Sequence, residues 1–132
     1  MFRFFNPNPC KKRDGDCAVR AVAVALGWTW DQAFWGLCLE ANKMCDMPSS
    51  NDVWSGLLRR HGFRKQNIES EGHVTADDFC RSHPEGRYVI AMYNHVAAII
   101  DGELIDIWDS GNETVLCAWK AHEKNEVRRN AV

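Results

Sequence analysis

The chain has 132 residues, a formal net charge of −2 and a hydrophobic fraction of 45%, which is typical of one domain that buries its own core. This composition excludes a disordered chain and argues against a general nucleic-acid surface. No apolar run approaches the roughly 20 residues that span a bilayer, and residues 1–5 turn polar too soon for a signal peptide. We therefore expect a single domain over residues 1–132 in the cytoplasm, with neither a membrane nor a nucleic acid as its partner.

The first predicted helix carries a cysteine at its start. Asp16 is placed as the N-cap, the Ala-rich stretch after it favours helix, and Gly27 is a natural stop. Cys17 would then occupy the first helical position. A thiol at this position is favoured as thiolate, because the N-terminal end of a helix carries partial positive charge.

Three further helices are predicted from their caps and stops, with an extended piece at 63–68 before the last of them. Each starts at a Ser or Thr whose hydroxyl can accept a backbone N–H. These helices run from Thr29 through Asn42, from Ser50 to Gly62, and from Thr75 to just before Pro84.

The last part of the chain is rich in β-branched and aromatic residues and predicts strands at about 87–93, 95–100 and 103–108. A turn at 110–112 leads to a last strand near 114–119. Helices first and strands last indicate an α+β fold. In it, an N-terminal helical part with the Cys-bearing helix packs on a C-terminal antiparallel β-sheet.

The pairing of two of these strands can be derived from the turn between them. Asp101-Gly102 is a strong two-residue hairpin signal, so Ile100 should face Glu103. Counting outward along both strands places His95 and Asp106 on one face as diagonal neighbours, about 7–8 Å apart along the backbone. That distance is close enough for a carboxylate to orient an imidazole.

The same register separates the other candidates near this hairpin. Asp109 has the opposite parity and should point to the other face, so we prefer Asp106 as the orienting acid. Trp108 lies across from His95 and is a candidate to line the site and shield it from water.

The other cysteines and the basic residues carry weaker signals. Cys38, Cys45, Cys80 and Cys117 are interpreted as small buried hydrophobic side chains. No two cysteines form a CxxC pair, so we expect neither a metal site nor a cofactor. Basic clusters at 11–13 and 128–129 are flanked by acids and are interpreted as solvated, although the first precedes Cys17 and would favour its thiolate.

A cysteine at a helix start, followed far downstream by His on one strand and Asp on the next, resembles the papain-like cysteine peptidase superfamily. A closer resemblance, over nearly the whole chain, is to a group of small, functionally uncharacterised papain-like proteins of Firmicutes and their prophages. The segments that carry it are Asn6-Pro7-Asn8-Pro9, Gly15-Asp16-Cys17-Ala18-Val19-Arg20-Ala21, Asp46-Met47-Pro48-Ser49, His95-Val96 and Asp106-Ile107-Trp108-Asp109-Ser110-Gly111-Asn112. The resemblance implies a minimal papain-like fold with a Cys17, His95, Asp106 triad.

One position departs from the superfamily. Papain-like peptidases usually place a Gln about six residues before the nucleophile, where its amide joins the nucleophile's own N–H in an oxyanion hole. Lys11 occupies that position here. Asn8, or else Asn6, could supply the amide if the loop at 10–15 folds back on the helix start, and Lys11 could itself stabilise an oxyanion. The candidates for the oxyanion site are therefore Asn8, Lys11 and the N–H of Cys17.

These residues favour acyl transfer through a thioester on Cys17, with a protein or peptide substrate, a host protein among the candidates. Release by water makes a peptidase or amidase, and release by an amine makes a transglutaminase-like acyltransferase. A non-catalytic phage-type binding or inhibitor module on the same fold is the alternative from another class. A redox sensor using Cys10 and Cys17 is a further alternative. Loops at 43–50 and 70–75 are the candidates to define substrate subsites.

Overall fold

The computed structural model describes residues 1–68 and 73–122. Within them the fold is mixed α+β, with four helices and one six-stranded sheet. The helices are α1 (Cys17–Leu26), α2 (Trp30–Met44), α3 (Asn51–Arg60) and α4 (Ala76–Ser82). The strands are β1 (Phe2–Phe4), β2 (Phe63–Gln66), β3 (Arg87–Met92), β4 (His95–Ile100), β5 (Glu103–Asp106) and β6 (Cys117–Ala121).

The predicted helix starts are confirmed. Thr29 and Gln32 form both halves of the capping box of α2, and Ser50 accepts the N–H of Asp52 at the start of α3. Thr75 caps α4 in the same way. α2 runs two residues beyond the predicted end and stops at Cys45, which adopts a left-handed conformation with φ 55°. Cys45 is exposed at this helix end, so its predicted burial was wrong.

The hairpin register is also confirmed. Ile100 pairs with Glu103, and the ladder continues through Ile99 with Leu104 and Ala98 with Ile105. Asp101 and Gly102 both have positive φ, as a two-residue hairpin turn requires. The outer strand β5 ends at Asp106, two residues before the predicted limit, because the chain turns there toward Ser110.

The sheet is neither wholly antiparallel nor wholly C-terminal, contrary to the prediction. Its strand order is β1-β5-β4-β3-β6-β2, and β1 pairs with β5 in parallel. β2 adds to the other edge, antiparallel to β6. The parallel pair continues past β1, since the N–H of Phe5 donates to the carbonyl of Asp106 at 3.0 Å. This pairing delivers the segment after β1 to the end of β5.

Two apolar clusters fill the space around the sheet. Helices α1 to α3 cover one face, and their fully buried side chains include Val22, Leu37, Trp54 and Leu58. α4 covers a second cluster, which includes Phe79, Ile90, Ile99 and Leu104. α1 packs against β4 through small side chains, which allow close approach of the two backbones. The start of α1 therefore lies beside the first residues of β4. In the described parts of the chain, each helix is too short or too polar to cross a bilayer.

Candidate active site

Cys17 is the first residue of α1, and its position depends on a tight turn. Gly15 has φ 85°, a left-handed conformation that glycine adopts without steric cost, and Asp16 follows as the N-cap. The carboxylate of Asp16 makes no capping hydrogen bond to the helix within the described residues. The expected position of Asp16 is thus confirmed, but the expected side-chain cap was wrong. The first N–H groups of α1 therefore receive no hydrogen bond from the Asp16 side chain.

The structure brings the predicted histidine and acid together. His95 is the first residue of β4, and Asp106 is the last residue of β5. Nε2 of His95 lies 2.5 Å from Oδ2 of Asp106, and the acid is buried. Because Nε2 is occupied by this contact, Nδ1 is the ring nitrogen that remains for the thiol.

Cys17 lies within hydrogen-bond reach of the His95 ring. Burial alone would raise the pKa of the half-buried Cys17 thiol above its usual value of 9.0. The hydrogen bond to His95, a backbone hydrogen bond from Val96 and the positive charges of His95 and Arg20 outweigh burial and lower this pKa. The site therefore favours the thiolate form.

The imidazole shows the complementary shift. Burial alone would lower the pKa of His95, but hydrogen bonds to Asp106 and Cys17, followed by the charges of those two residues, raise it to about 9. An imidazole with a raised pKa beside a thiol with a lowered pKa favours transfer of the thiol proton to the ring, which gives a thiolate–imidazolium pair. Such a pair is a nucleophile and a proton donor held in contact.

Asp106 is fixed by more than the histidine. Its Oδ1 accepts the N–H of Ile107 at 2.7 Å, and the hydroxyl of Ser110 lies 3.4 Å from its Oδ2. Asp109 instead accepts the N–H of Gly111 at 2.9 Å within the following turn. The structure thus separates the two acids as the strand parity predicts, and it gives Asp106 the contact with His95.

One charged residue of this region, Arg20, was missed by the sequence reasoning. Arg20 is buried one turn after Cys17 and forms an ion pair with the buried Asp16. Its other terminal nitrogen lies 3.9 Å from Oδ1 of Asp106. The sequence did contain a signal for this ion pair, namely a charged side chain within an Ala- and Val-rich helix. Such a residue is almost never fully buried without a partner.

The loop before α1 folds back on the helix start and carries the oxyanion candidates. Asn8 is buried, and its amide nitrogen donates to Oδ2 of Asp16 at 2.9 Å. A primary amide has two N–H groups, so one such donor of Asn8 is left for a ligand. Lys11 is turned away, since its ammonium donates to the carbonyl of Asn6 at 3.1 Å. Asn6 serves the loop itself, accepting the N–H of Asn8 and donating to the carbonyl of Lys12.

A cleft of about 740 Å³ opens beside Cys17. It is lined by Asn8, Pro9, Cys10, Lys12, Asp14, Gly15, Asp16, Cys17, Ala18, Val19, Trp30, Asp31, Phe34, Met47, Pro48 and Ser49. The apolar part of this wall includes Trp30 and Phe34, whose rings stack at 5.1 Å. Residues 47–49 come from one of the two predicted subsite loops, while residues 70–72 of the other lie outside the described part of the chain, as do residues 128–129.

Trp108 lies against the histidine of the triad. Its ring centroid is 4.9 Å from that of His95, and the side chain is partly exposed. Neither residue lines the cleft, among the residues that the structure describes. The sequence placed Trp108 beside His95, and the structure does so too.

Searches for similar proteins assign the chain to no family, so the interpretation of the site depends on its geometry. No family model matches the chain, and neither a curated protein nor a solved structure is significantly similar to it. The likeness to papain-like peptidases therefore stays a prediction. In residues 1–68 and 73–122, no group of three or more His, Cys, Asp or Glu side chains is arranged to hold a metal ion.

Proposed function

We propose that this chain is a minimal papain-like cysteine hydrolase, a peptidase or amidase that works through a thioester on Cys17. The observation that carries the proposal is the convergence of three groups: Asp106 contacts Nε2 of His95 at 2.5 Å, and His95 acts on the thiol of Cys17 and lowers its pKa. Each member is a chemically suited group: a thiol with a lowered pKa, an imidazole with a raised pKa, and a buried carboxylate.

The first step is attack on a carboxamide carbon. The sulfur of Cys17 forms a bond to this carbon, and the carbonyl electrons move to the oxygen as an oxyanion. The uncapped N–H of Cys17 and the second N–H of Asn8 are the nearest candidates to donate to that oxygen. Because Asp16 does not cap the helix, its carboxylate does not compete with the oxyanion for the N–H of Cys17, although it accepts the first N–H of the Asn8 amide.

The second step is loss of the amine. The oxyanion collapses, the carbon–nitrogen bond breaks, and His95 gives its proton to the leaving nitrogen, which leaves a thioester on Cys17. A water molecule then gives a proton to His95 as it attacks the thioester, and the thiolate departs. Asp106 keeps its contact with Nε2 throughout and holds the ring in orientation.

The position of the cleft assigns the two halves of the substrate. His95 must reach the leaving amine, so that amine lies on the side of His95 and Trp108. The acyl portion then extends the opposite way, into the cleft that Cys17 lines and His95 does not. Trp30 and Phe34 make that wall apolar, which favours acyl groups with large apolar side chains. The proposal therefore keeps a protein or peptide as the substrate, processed in the cytoplasm.

Two other functions are compatible with the same fold and are separate proposals. An amine in place of water would release the acyl group as a new amide, which is the transglutaminase-like reaction. A non-catalytic binding module is favoured by one feature, the exposed apolar pair Trp35 and Leu39 one turn apart on α2. A binding role for α2 does not explain why a thiol, an imidazole and an acid meet at the start of α1.

The decisive experiment is the pH dependence of thiol alkylation. Iodoacetamide labelling followed by peptide mapping should show that Cys17 reacts at lower pH than the other cysteines, because its thiolate is favoured. Cys10 lines the same cleft and is exposed, so it is the internal control. If Cys17 and Cys10 share one pH profile, the hydrolase proposal is wrong and the binding module gains support. A disulfide between Cys10 and Cys17 after peroxide treatment would instead support the redox alternative.

A further inference from the structure

We infer that Arg20 is a positioning residue, which ties the turn that holds the nucleophile to the acid of the triad, while Asp16 holds Arg20 in place. This inference deepens the proposed function and rests on it. It concerns how the site is held, and it gives a role to the two buried charges that the reaction steps above do not use.

The geometry makes Arg20 a bridge. One terminal nitrogen of its guanidinium binds Oδ1 of Asp16, and the other lies 3.9 Å from Oδ1 of Asp106. The exposed fractions of these side chains are only 7% for Arg20, 9% for Asp16 and 3% for Asp106. Asp16 directly precedes Cys17, and Arg20 follows it on the next turn of α1. The nucleophile thus sits between the two residues that form the ion pair.

Stability alone does not account for this arrangement. A buried ion pair is often no more stabilising than apolar residues of similar size, because both charges lose their hydration. Nε of Arg20 is buried without a hydrogen-bond partner in the described structure, which adds to that cost. An apolar side chain would match the neighbours of Arg20 in α1, which are mostly Ala and Val. The buried charge therefore points to a role in the site.

Asp16 determines how strongly Arg20 acts on the triad. It is held by Trp30 Nε1 and Asn8 Nδ2, both 2.9 Å from its Oδ2, so its other oxygen is directed to Arg20. With one nitrogen bound there, Arg20 approaches Asp106 without forming a short hydrogen bond. Arg20 approaches Oδ1 of Asp106, whereas Oδ2 contacts His95. The charge of Arg20 also lowers the pKa of Cys17 and so favours its thiolate.

The test compares two variants by the pH profile of Cys17 alkylation. The double substitution Arg20→Met with Asp16→Asn removes both charges together, so no single charge is left buried. The conservative Arg20→Lys keeps a charge but cannot bind two carboxylates through a planar fork. We expect the double variant to raise the midpoint of the Cys17 alkylation profile by about one pH unit. Below that midpoint, the alkylation rate should be about tenfold lower than in the wild type. Arg20→Lys should give a smaller shift in the same direction.

A matched control separates positioning from structure. Arg60→Met breaks the ion pair of Arg60 with the buried Glu40, and neither residue lines the cleft. It should lower the melting temperature and leave the alkylation midpoint unchanged. At a pH above the midpoints of all variants, where each carries a complete thiolate, all variants should react equally.

The failures of the two proposals are distinguishable. A wild-type Cys17 that titrates like Cys10 contradicts the hydrolase proposal itself. A low wild-type midpoint that survives in the double variant contradicts the role of Arg20 alone, whatever happens to the melting temperature. A wild-type profile in Arg20→Lys shows that a nearby charge suffices, and this result also overturns positioning by the bridge.

Discussion

The start of α1 and the middle of the helical core bury very different groups. Around Cys17, the protein buries Asp16, Arg20 and Asp106, all charged and linked to one another. Around Trp54, it buries apolar side chains such as Leu37 and Leu58. Apolar burial stabilises a fold directly, whereas buried charges at best offset their own desolvation. The comparison predicts that substitutions in the core change stability and that substitutions near Cys17 change reactivity.

The largest expected effect is on turnover. Cys17→Ala should abolish cleavage of a fluorogenic peptide amide, because no thiolate is left to form the thioester. Its free energy of unfolding should change by less than about 1 kcal/mol, since the side chain is only half-buried at a helix end. Urea unfolding measures that change. Extensive unfolding of Cys17→Ala would identify a structural thiol and contradict the site.

The opposite behaviour is expected in the core. Trp54 is 1% exposed, and Trp54→Ala should lower the free energy of unfolding by about 3–5 kcal/mol. Trp35 is 63% exposed on α2, so Trp35→Ala is the control of equal size and should stay within about 0.5 kcal/mol. Below its melting temperature, Trp54→Ala should keep the wild-type pH profile of Cys17 alkylation. A shifted profile would show that the two regions are coupled.

The two acids of the last hairpin sharpen the comparison within the site. Asp106→Ala removes the partner of His95 and should slow Cys17 alkylation at pH 6 by about tenfold or more, because the imidazolium loses its stabilising charge. Asp106→Asn should lose less, since an amide oxygen can still accept from Nε2. Asp109→Ala affects only the turn at Gly111 and should leave the rate unchanged. The reverse order of rates would require a redrawn triad.

Local signals were sufficient to predict the part of the site that lies on one hairpin. The Asp101-Gly102 turn determines the register, and the register brings His95 to Asp106. The start of α1 was also predictable, because Asp16 and the Ala-rich stretch mark it. These features depend on residues that are near one another along the chain.

The rest depends on pairings that short patterns do not show. The strand Phe2–Phe4 has three residues and gains its partner only when β5, far along the chain, is already in place. The bridge from Arg20 to Asp106 likewise joins two distant segments. The side-chain cap expected from Asp16 failed for a different, local reason, because Arg20, Asn8 and Trp30 bind its carboxylate instead.

The pH dependence of cleavage should show both titrating groups. The rate should fall as pH drops through the lowered pKa of Cys17, because protonation removes the nucleophile. It should also fall as pH rises past about 9, because His95 loses the proton that the leaving amine needs. Rates of amide cleavage between pH 4 and about 10.5 would show this bell shape. Alkylation of Cys17 needs no proton donor and should lack the alkaline decline, so a decline shared by both reactions would indicate unfolding.

The smallest expected effect concerns the cleft. Phe34 lines the apolar wall of the cleft. Two peptidyl probes, one with Phe and one with Ala on the acyl side, measure the preference for a large apolar side chain. Phe34→Ala should reduce that preference by about tenfold, because one apolar contact is lost. The measurement is the rate of covalent labelling of Cys17 by the two probes, each divided by the iodoacetamide rate of the same variant, so that a change in thiol reactivity cancels. Leu39 lies on α2 as well but is 65% exposed and outside the cleft, so Leu39→Ala should keep the wild-type preference. If Leu39→Ala loses the preference and Phe34→Ala retains it, the acyl group binds on the outer face of α2, and the cleft beside Cys17 serves another part of the substrate.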